Sequence, residues 1–281
     1  MESLTSGGLT RGMTTFLVVG GTGKTGRRVA ERLRARAHPV RAVSRSTEPP
    51  FGWSDETTWG PVLDGDVEAA YLTFHPDLAL PGAAERIGAF SALAAARGVR
   101  RLVLLSGRGE PETEPAERAV RESGAAWTVV RCAWFAQNFS EDFLLPSVLS
   151  GDLAVPAGSV GEPFVDLDDV ADVVVEALVS AAHEGRAYEL TGPRLLTFAD
   201  AAAEIAAVSG RAVTYRHVPA ARFVTEAAAA GLPADAAGAL AELFERVLDG
   251  RNEHLSGDVE RVLGRPPRDF AEYAKGAAGA W

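Results

Sequence analysis

Residues 16–19, Phe-Leu-Val-Val, run directly into Gly20-Gly-Thr-Gly-Lys-Thr-Gly26, and no other stretch limits the fold so narrowly. An unbroken apolar run suits a strand covered on both faces, since a half-exposed strand alternates apolar with polar. Behind the glycines, Val29, Ala30, Leu33 and Ala37 recur at helical spacing. Strand, glycine turn and helix together aim main-chain N–H groups and the positive end of a helix at one point, which suits a phosphate. The spacing satisfies G-x-G-x-x-G at Gly21, Gly23 and Gly26, and G-x-x-G-x-x-G from Gly20. One glycine makes the turn, one admits a pyrophosphate, and Gly26 lets the helix lie close to the strand. The plainer alternative is a tight glycine turn that binds nothing. A Walker A loop is excluded. Gly23-Lys24-Thr25 imitates its end, but the opening glycine would fall on Val18, inside the strand.

Apolar runs and helical patterns then alternate. Strands are expected at 39–43, at 69–73, at 99–105 and at 127–130, with a very short one at Phe51-Gly-Trp53 that makes the 127–130 segment sixth in order. Helices are expected at 83–98 and 114–123. This rhythm predicts an α/β fold: a Rossmann-like, doubly wound parallel sheet. The C-terminal part reads as helix-rich, with an acidic-start helix over 168–178, a helix capped at Thr197, a strand candidate at 212–215 and an alanine-rich stretch broken at Pro233. The expected organisation is a tail over 1–12, a dinucleotide-binding domain over 13–150, and a smaller lobe over 151–281 with some elements returning to the first.

The 281 residues are 47% hydrophobic and carry a net charge of −10, which argues against direct nucleic-acid binding. Cys132 is the only cysteine, so no intramolecular disulfide forms, and a reducing compartment, the cytoplasm, is expected. No apolar run approaches the ~18 residues of a membrane span. The opening residues lack the apolar core of a signal peptide. The histidines are too scattered for a metal site.

The end of the second strand selects the cofactor. An acidic residue there would bind the ribose hydroxyls of NAD. This chain has Arg45, between Ser44 and Ser46, and a guanidinium suits the extra 2′-phosphate of NADP(H). Asp55 has two readings, a helix cap or an acceptor for the adenine amino group. Trp134, Phe135 and Asn138 follow the 127–130 strand and are expected to wall a substrate pocket over the nicotinamide, ordinary core being the alternative.

Together, Gly20–Gly26, Leu104-Leu-Ser-Gly-Arg108, Glu117–Gly124, Trp127–Arg131 with Phe135–Phe139, Pro163–Asp166 with Asp168-Asp-Val170, and Tyr188–Pro193 resemble the NmrA-like, atypical short-chain dehydrogenase/reductase proteins. The resemblance spans about residues 14 to 275. It implies an NADP(H)-binding Rossmann lobe, with substrate or partner in the cleft beside a smaller lobe. It also implies that Gly20, Thr22, Gly23, Lys24, Thr25 and Gly26 form the pyrophosphate turn, that Arg45 faces the 2′-phosphate and Asp55 the adenine. Thr73, Phe74, His75 and Ser106 would lie along the ribose and nicotinamide. One departure bears on chemistry. The catalytic Tyr-x-x-x-Lys pair of the wider superfamily is missing: the only lysines are Lys24 and Lys275, and Tyr273-Ala-Lys275 has the wrong spacing. No catalytic residue is assigned. The expected function is hydride transfer from NADPH to a small acceptor needing little acid help, such as a quinone, a dye, or a conjugated or iminium compound. The alternative is a non-catalytic NADP(H) redox sensor acting through a regulatory protein partner.

Overall fold

In the computed structural model, residues 14–281 are described, so the tail expected over 1–12 lies outside the described residues. The chain begins β1 (Thr15–Val19), α1 (Lys24–Ala35), β2 (Val40–Val43), single-turn α2 (Trp59–Val62), β3 (Val67–Leu72), α3 (Ala83–Ala96), β4 (Arg101–Gly107), α4 (Glu114–Arg121) and β5 (Ala126–Cys132). The short α5 (Asn138–Glu141) and α6 (Leu145–Ser150) follow, then β6 (Asp152–Val155), α7 (Leu167–Val179), β7 (Arg186–Leu190), α8 (Phe198–Ser209) and β8 (Thr214–His217). The chain closes with α9 (Ala220–Ala229), α10 (Ala234–Val247), α11 (Asp258–Leu263) and α12 (Phe270–Ala277).

The main sheet has the order β2-β1-β3-β4-β5-β7, every pairing parallel. From β1 the chain goes to β2 on one side and then to β3 on the other. That reversal opens a crevice at the carboxyl ends of the strands, above the glycine turn. β1 is covered on both faces, as its unbroken apolar run requires. Phe16 and Val18 face the layer containing α1 and α7, whereas Leu17 and Val19 face that of α2 and α3. Helix α7 starts at Asp166, whose carboxylate accepts the Asp168 amide, and its Val170, Val173 and Val174 join the α1 layer. Arg32 of α1 fastens the two helices through Asp168 (2.7 Å) and Asp172 (2.5 Å). A third cluster is strongly aromatic: Trp134, Phe139, Phe164, Phe198, Phe244, Phe270 and Tyr273 pack beneath the β6–β8 pair.

Two expectations fail locally. Phe51-Gly-Trp53 is not a strand: Gly52 makes a lone bridge to Asp55, and β2 remains an edge of the sheet. The side chains there serve packing instead, Phe51 and Trp53 both standing edge-on to Phe90. The strand at 126–132 is consequently fifth in order rather than sixth. The structure also adds β6 and β7, which the sequence pattern leaves unassigned; only Tyr188 and Leu190 of β7 are buried.

Candidate functional site

A cleft of about 1100 Å³ follows the carboxyl edge of the sheet. Its first end is the glycine turn. Gly20 has φ +74°, a left-handed conformation that glycine adopts without strain. A Cβ on Gly26 would stand 2.3 Å from the Gly20 carbonyl oxygen, and one on Gly21 2.6 Å from Ala42 Cβ, so helix, turn and second strand touch through missing side chains. The Gly23 amide is spent on Gly20 O (2.9 Å). The amides of Thr22, Lys24, Thr25 and Gly26 have no hydrogen-bond acceptor among the described residues, and the first turn of α1 has neither a side-chain cap nor an acidic residue. A helix start with open amides and no anion of its own fits a pyrophosphate. The dinucleotide therefore fits the residues present.

The residues expected around the cofactor are distributed along this cleft, and three of them have polar partners within the protein that bear on their roles. Gly20, Thr22, Gly23, Lys24, Thr25, Arg45, Thr73, Phe74, His75 and Ser106 line it, whereas Gly26 lies beneath the turn as packing. Arg45 is exposed and has no ion-pair or hydrogen-bond partner among the described residues, so its guanidinium is available to an anion. Asp55 is the first: it does not line the cleft, and its carboxylate accepts from the Thr57 amide (3.1 Å) and hydroxyl (2.6 Å), the capping role that is one of its two readings. Lys24 is the second. Its ammonium pairs with Asp142 and donates to Asn138 Oδ1 at 2.5 Å, so it ties α1 to the segment after β5 rather than standing free for a phosphate. Ser106 is the third. Its hydroxyl is within 2.7 Å of Glu117 Oε1, so its proton turns inward.

Glu117 stands on α4, where Tyr-x-x-x-Lys is missing. It is fully buried and takes Arg131 on both oxygens (2.8 and 2.5 Å) and Arg121 on one (2.7 Å). This is an ion-pair network holding α4 to β5, with no free acid in it.

Trp134, Phe135 and Asn138 line the other end of the cleft. Trp134 is also core, 4.9 Å from the Phe244 ring centre, so wall and core coincide in one side chain. Here the structure adds residues that sequence reasoning missed. Glu110, after β4, and Glu162, before α7, both line this end, together with Leu240 and Leu243 of α10. Burial pushes the Glu162 carboxyl up to about 7, against the opposing pull of the Trp134 amide and Arg108. Burial, reinforced by Asp77, likewise pushes Glu110 up to about 7, with Arg246 opposing. Buried Arg108 donates to Glu189 (3.1 Å), Asn252 O (2.9 Å) and His254 O (2.9 Å). The only sequence signal for Glu162 was a carboxylate between Gly161 and the Pro163-Phe-Val stretch.

Among the described residues no cluster could hold a metal, and no helix is long and apolar enough to cross a membrane. No family model matches the chain. It is 32% identical to agroclavine dehydrogenase of Claviceps fusiformis over 95% of this chain and 98% of that one. It is 29% identical to the NAD(P)H azoreductase of Xenophilus azovorans, with 95% and 99% covered. Among solved structures, the triphenylmethane reductase of Citrobacter sp. complexed with NADP(H) superposes with TM-score 0.79 at 21% identity, covering 94% of this chain and 99% of that one. With that identity over nearly the full length of both sequences, a parallel Rossmann-like sheet and a cleft shaped for a dinucleotide, the chain belongs to the family of NAD(P)H-dependent oxidoreductases that includes agroclavine dehydrogenase.

Proposed function

We propose that the protein is an NADPH-dependent reductase of the NmrA-like type, acting on a small planar acceptor such as a quinone, a dye, or a conjugated or iminium compound. One observation carries the reading: a single cleft runs from unpaired Arg45, past the open amides of the glycine turn, to the aromatic wall at Trp134. Residues 13–150, completed by α7, β7 and α11, serve as the dinucleotide-binding lobe, and the rest of 151–281 as the acceptor lobe. When bound, the dinucleotide supplies a hydride. The chain's own contribution is placement. Thr22, Thr25 and Gly26 amides and the α1 dipole hold the pyrophosphate, and Arg45 neutralises the 2′-phosphate. Thr73, Phe74 and His75 flank the ribose, and Phe135, Asn138 and Trp134 hold the acceptor against the nicotinamide and exclude water.

The relatives' names support the acceptor class, since they are an agroclavine dehydrogenase, an azoreductase and a triphenylmethane reductase. Calorimetric titration with NADPH and NADH, followed by NADPH oxidation across a panel of quinones, dyes and cyclic iminium salts, tests it. Tighter binding of NADPH and turnover of at least one acceptor is expected; no binding of either nucleotide refutes the reading. Binding without turnover, together with a protein captured by one redox form alone, supports the sensor instead.

A further inference from the structure

Buried polar atoms in folded proteins are nearly always paired, and an unpaired one asks for a ligand. Three such atoms belong to residues lining the acceptor end of the cleft: Glu162 Oε2, Trp134 Nε1 and Glu110 Oε2. We infer that Glu162 is the proton donor of the reaction, its unpaired carboxyl oxygen supplying the proton that a neutral conjugated carbonyl requires after accepting the hydride. This rests on the reductase reading above.

The geometry favours Glu162 over its neighbours. It is 2% exposed and rigidly set: Oε1 accepts the Trp134 amide at 3.0 Å, and its own backbone exchanges hydrogen bonds with Leu196 at 2.8 and 3.0 Å. Glu110 is raised to about 7 by burial just as Glu162 is, but its unpaired Oε2 faces the Arg246 guanidinium of α10 at 3.6 Å, whereas Glu162 has no ion pair among the described residues. Glu117 is saturated by arginines, so the helix that carries the superfamily's acid offers none here. Of the charged groups nearby, Arg108 acts on Glu162 and is itself held by Glu189 at 3.1 Å, while Glu253 accepts the neighbouring Gly161 amide at 2.6 Å. Arg108 is already shared with Glu189, and Glu162 has no ion pair among the described residues. A buried carboxyl with no ion-paired cation keeps its proton to near neutrality, about 7 here, the pull of Arg108 being outweighed by burial.

The step balances as follows. A C–H bond forms at the β-carbon of the conjugated carbonyl as the nicotinamide loses two electrons. The carbon–carbon π pair moves toward oxygen, and the Glu162 O–H bond breaks to give that oxygen its proton. The product leaves as an enol that becomes the saturated ketone in water, and solvent reprotonates the Glu162 carboxylate. A triarylmethane cation needs only the hydride, because its central carbon becomes neutral on receiving it.

That difference supplies the test. Glu162→Gln preserves shape and an acceptor for the Trp134 amide but has no acidic proton. Turnover of 2-cyclohexenone and of crystal violet by wild type and variant is compared, with the infrared carboxylic-acid band of the protein alone at pH 6 as a second readout. Loss of about 100-fold or more with the enone, against less than about threefold with the dye, is expected. The wild-type enone rate falls as pH rises through about 7, because the donor is active only when protonated. The infrared band present in wild type shrinks in the variant. Equal losses with both acceptors, an unchanged band, turnover of the dye alone by wild type, or a loss seen in Glu110→Gln but not in Glu162→Gln overturns the inference. Failure of the wild type with every acceptor refutes the reductase reading itself, and the two failures are therefore distinct.

Discussion

At the glycine turn the groups facing the cleft are main-chain amides from one short stretch, Thr22 to Gly26, whereas at the Trp134 end they are side chains from four separated segments. Those segments are Ser106–Glu110, Cys132–Asn138, Glu162 and the α10 region from Leu240 to Asn252. The first end tolerates almost any side chain but demands its glycines. The second tolerates backbone variation but depends on each carboxyl and ring arriving at its place. Cofactor recognition therefore has its determinants in local geometry, and acceptor chemistry in long-range packing. One fold can keep the first constant while changing the second.

Substitutions that separate the two ends test this contrast. The largest effect is expected behind the acceptor end. Glu117→Ala leaves Arg131 and Arg121 with Glu114 as their only carboxylate partner among the described residues, beside a buried hole, and costs about 3 kcal/mol of stability. It leaves NADPH affinity nearly unchanged in the folded fraction; denaturant unfolding with a parallel NADPH titration checks both halves. At the other end, Gly26→Ala forces a methyl against the Gly20 carbonyl, where backbone meets backbone and neither can yield cheaply. The turn then shifts, and NADPH affinity falls by about 100-fold, read by calorimetry on protein whose circular dichroism is unchanged. Arg45→Ala removes one charge-assisted contact worth about 1.5–3 kcal/mol, so NADPH binding weakens by roughly 10- to 150-fold while NADH binding hardly moves. Equal weakening of both nucleotides would place Arg45 away from the 2′-phosphate. The smallest effect is that of Asp55→Ala, which removes the cap on Thr57 and costs about 1 kcal/mol of thermal stability with no change in NADPH affinity. A selective loss of nucleotide binding there would restore the adenine role that its hydrogen bonds argue against.

The strands β1 to β5 and helices α1, α3, α4 and α7 were legible because each buries a continuous or periodic apolar face, and that pattern is local. Phe51-Gly-Trp53 misled for the same reason: its rings are apolar enough for a strand, but they fill the gap against Phe90. The strand β7 escaped notice because Arg186 and Glu189 interrupt it at the sheet edge, where only part of one face needs covering. Ser106 and Lys24 were placed in the right cleft, but their protein partners were not legible. Glu117 and Asp142, which claim their polar atoms, come from elsewhere in the fold, Asp142 more than a hundred residues along the chain.

By itself, the sequence determined the dinucleotide end. Every residue carries the amides that hold a phosphate, so the sequence need only specify where side chains are absent and where one guanidinium stands. Only the tertiary structure decided the acceptor end. A carboxyl at Glu162 becomes a proton donor through burial beside Trp134 and the lack of an ion-pair partner among the described residues, and both conditions are set by segments that meet only when the chain has closed.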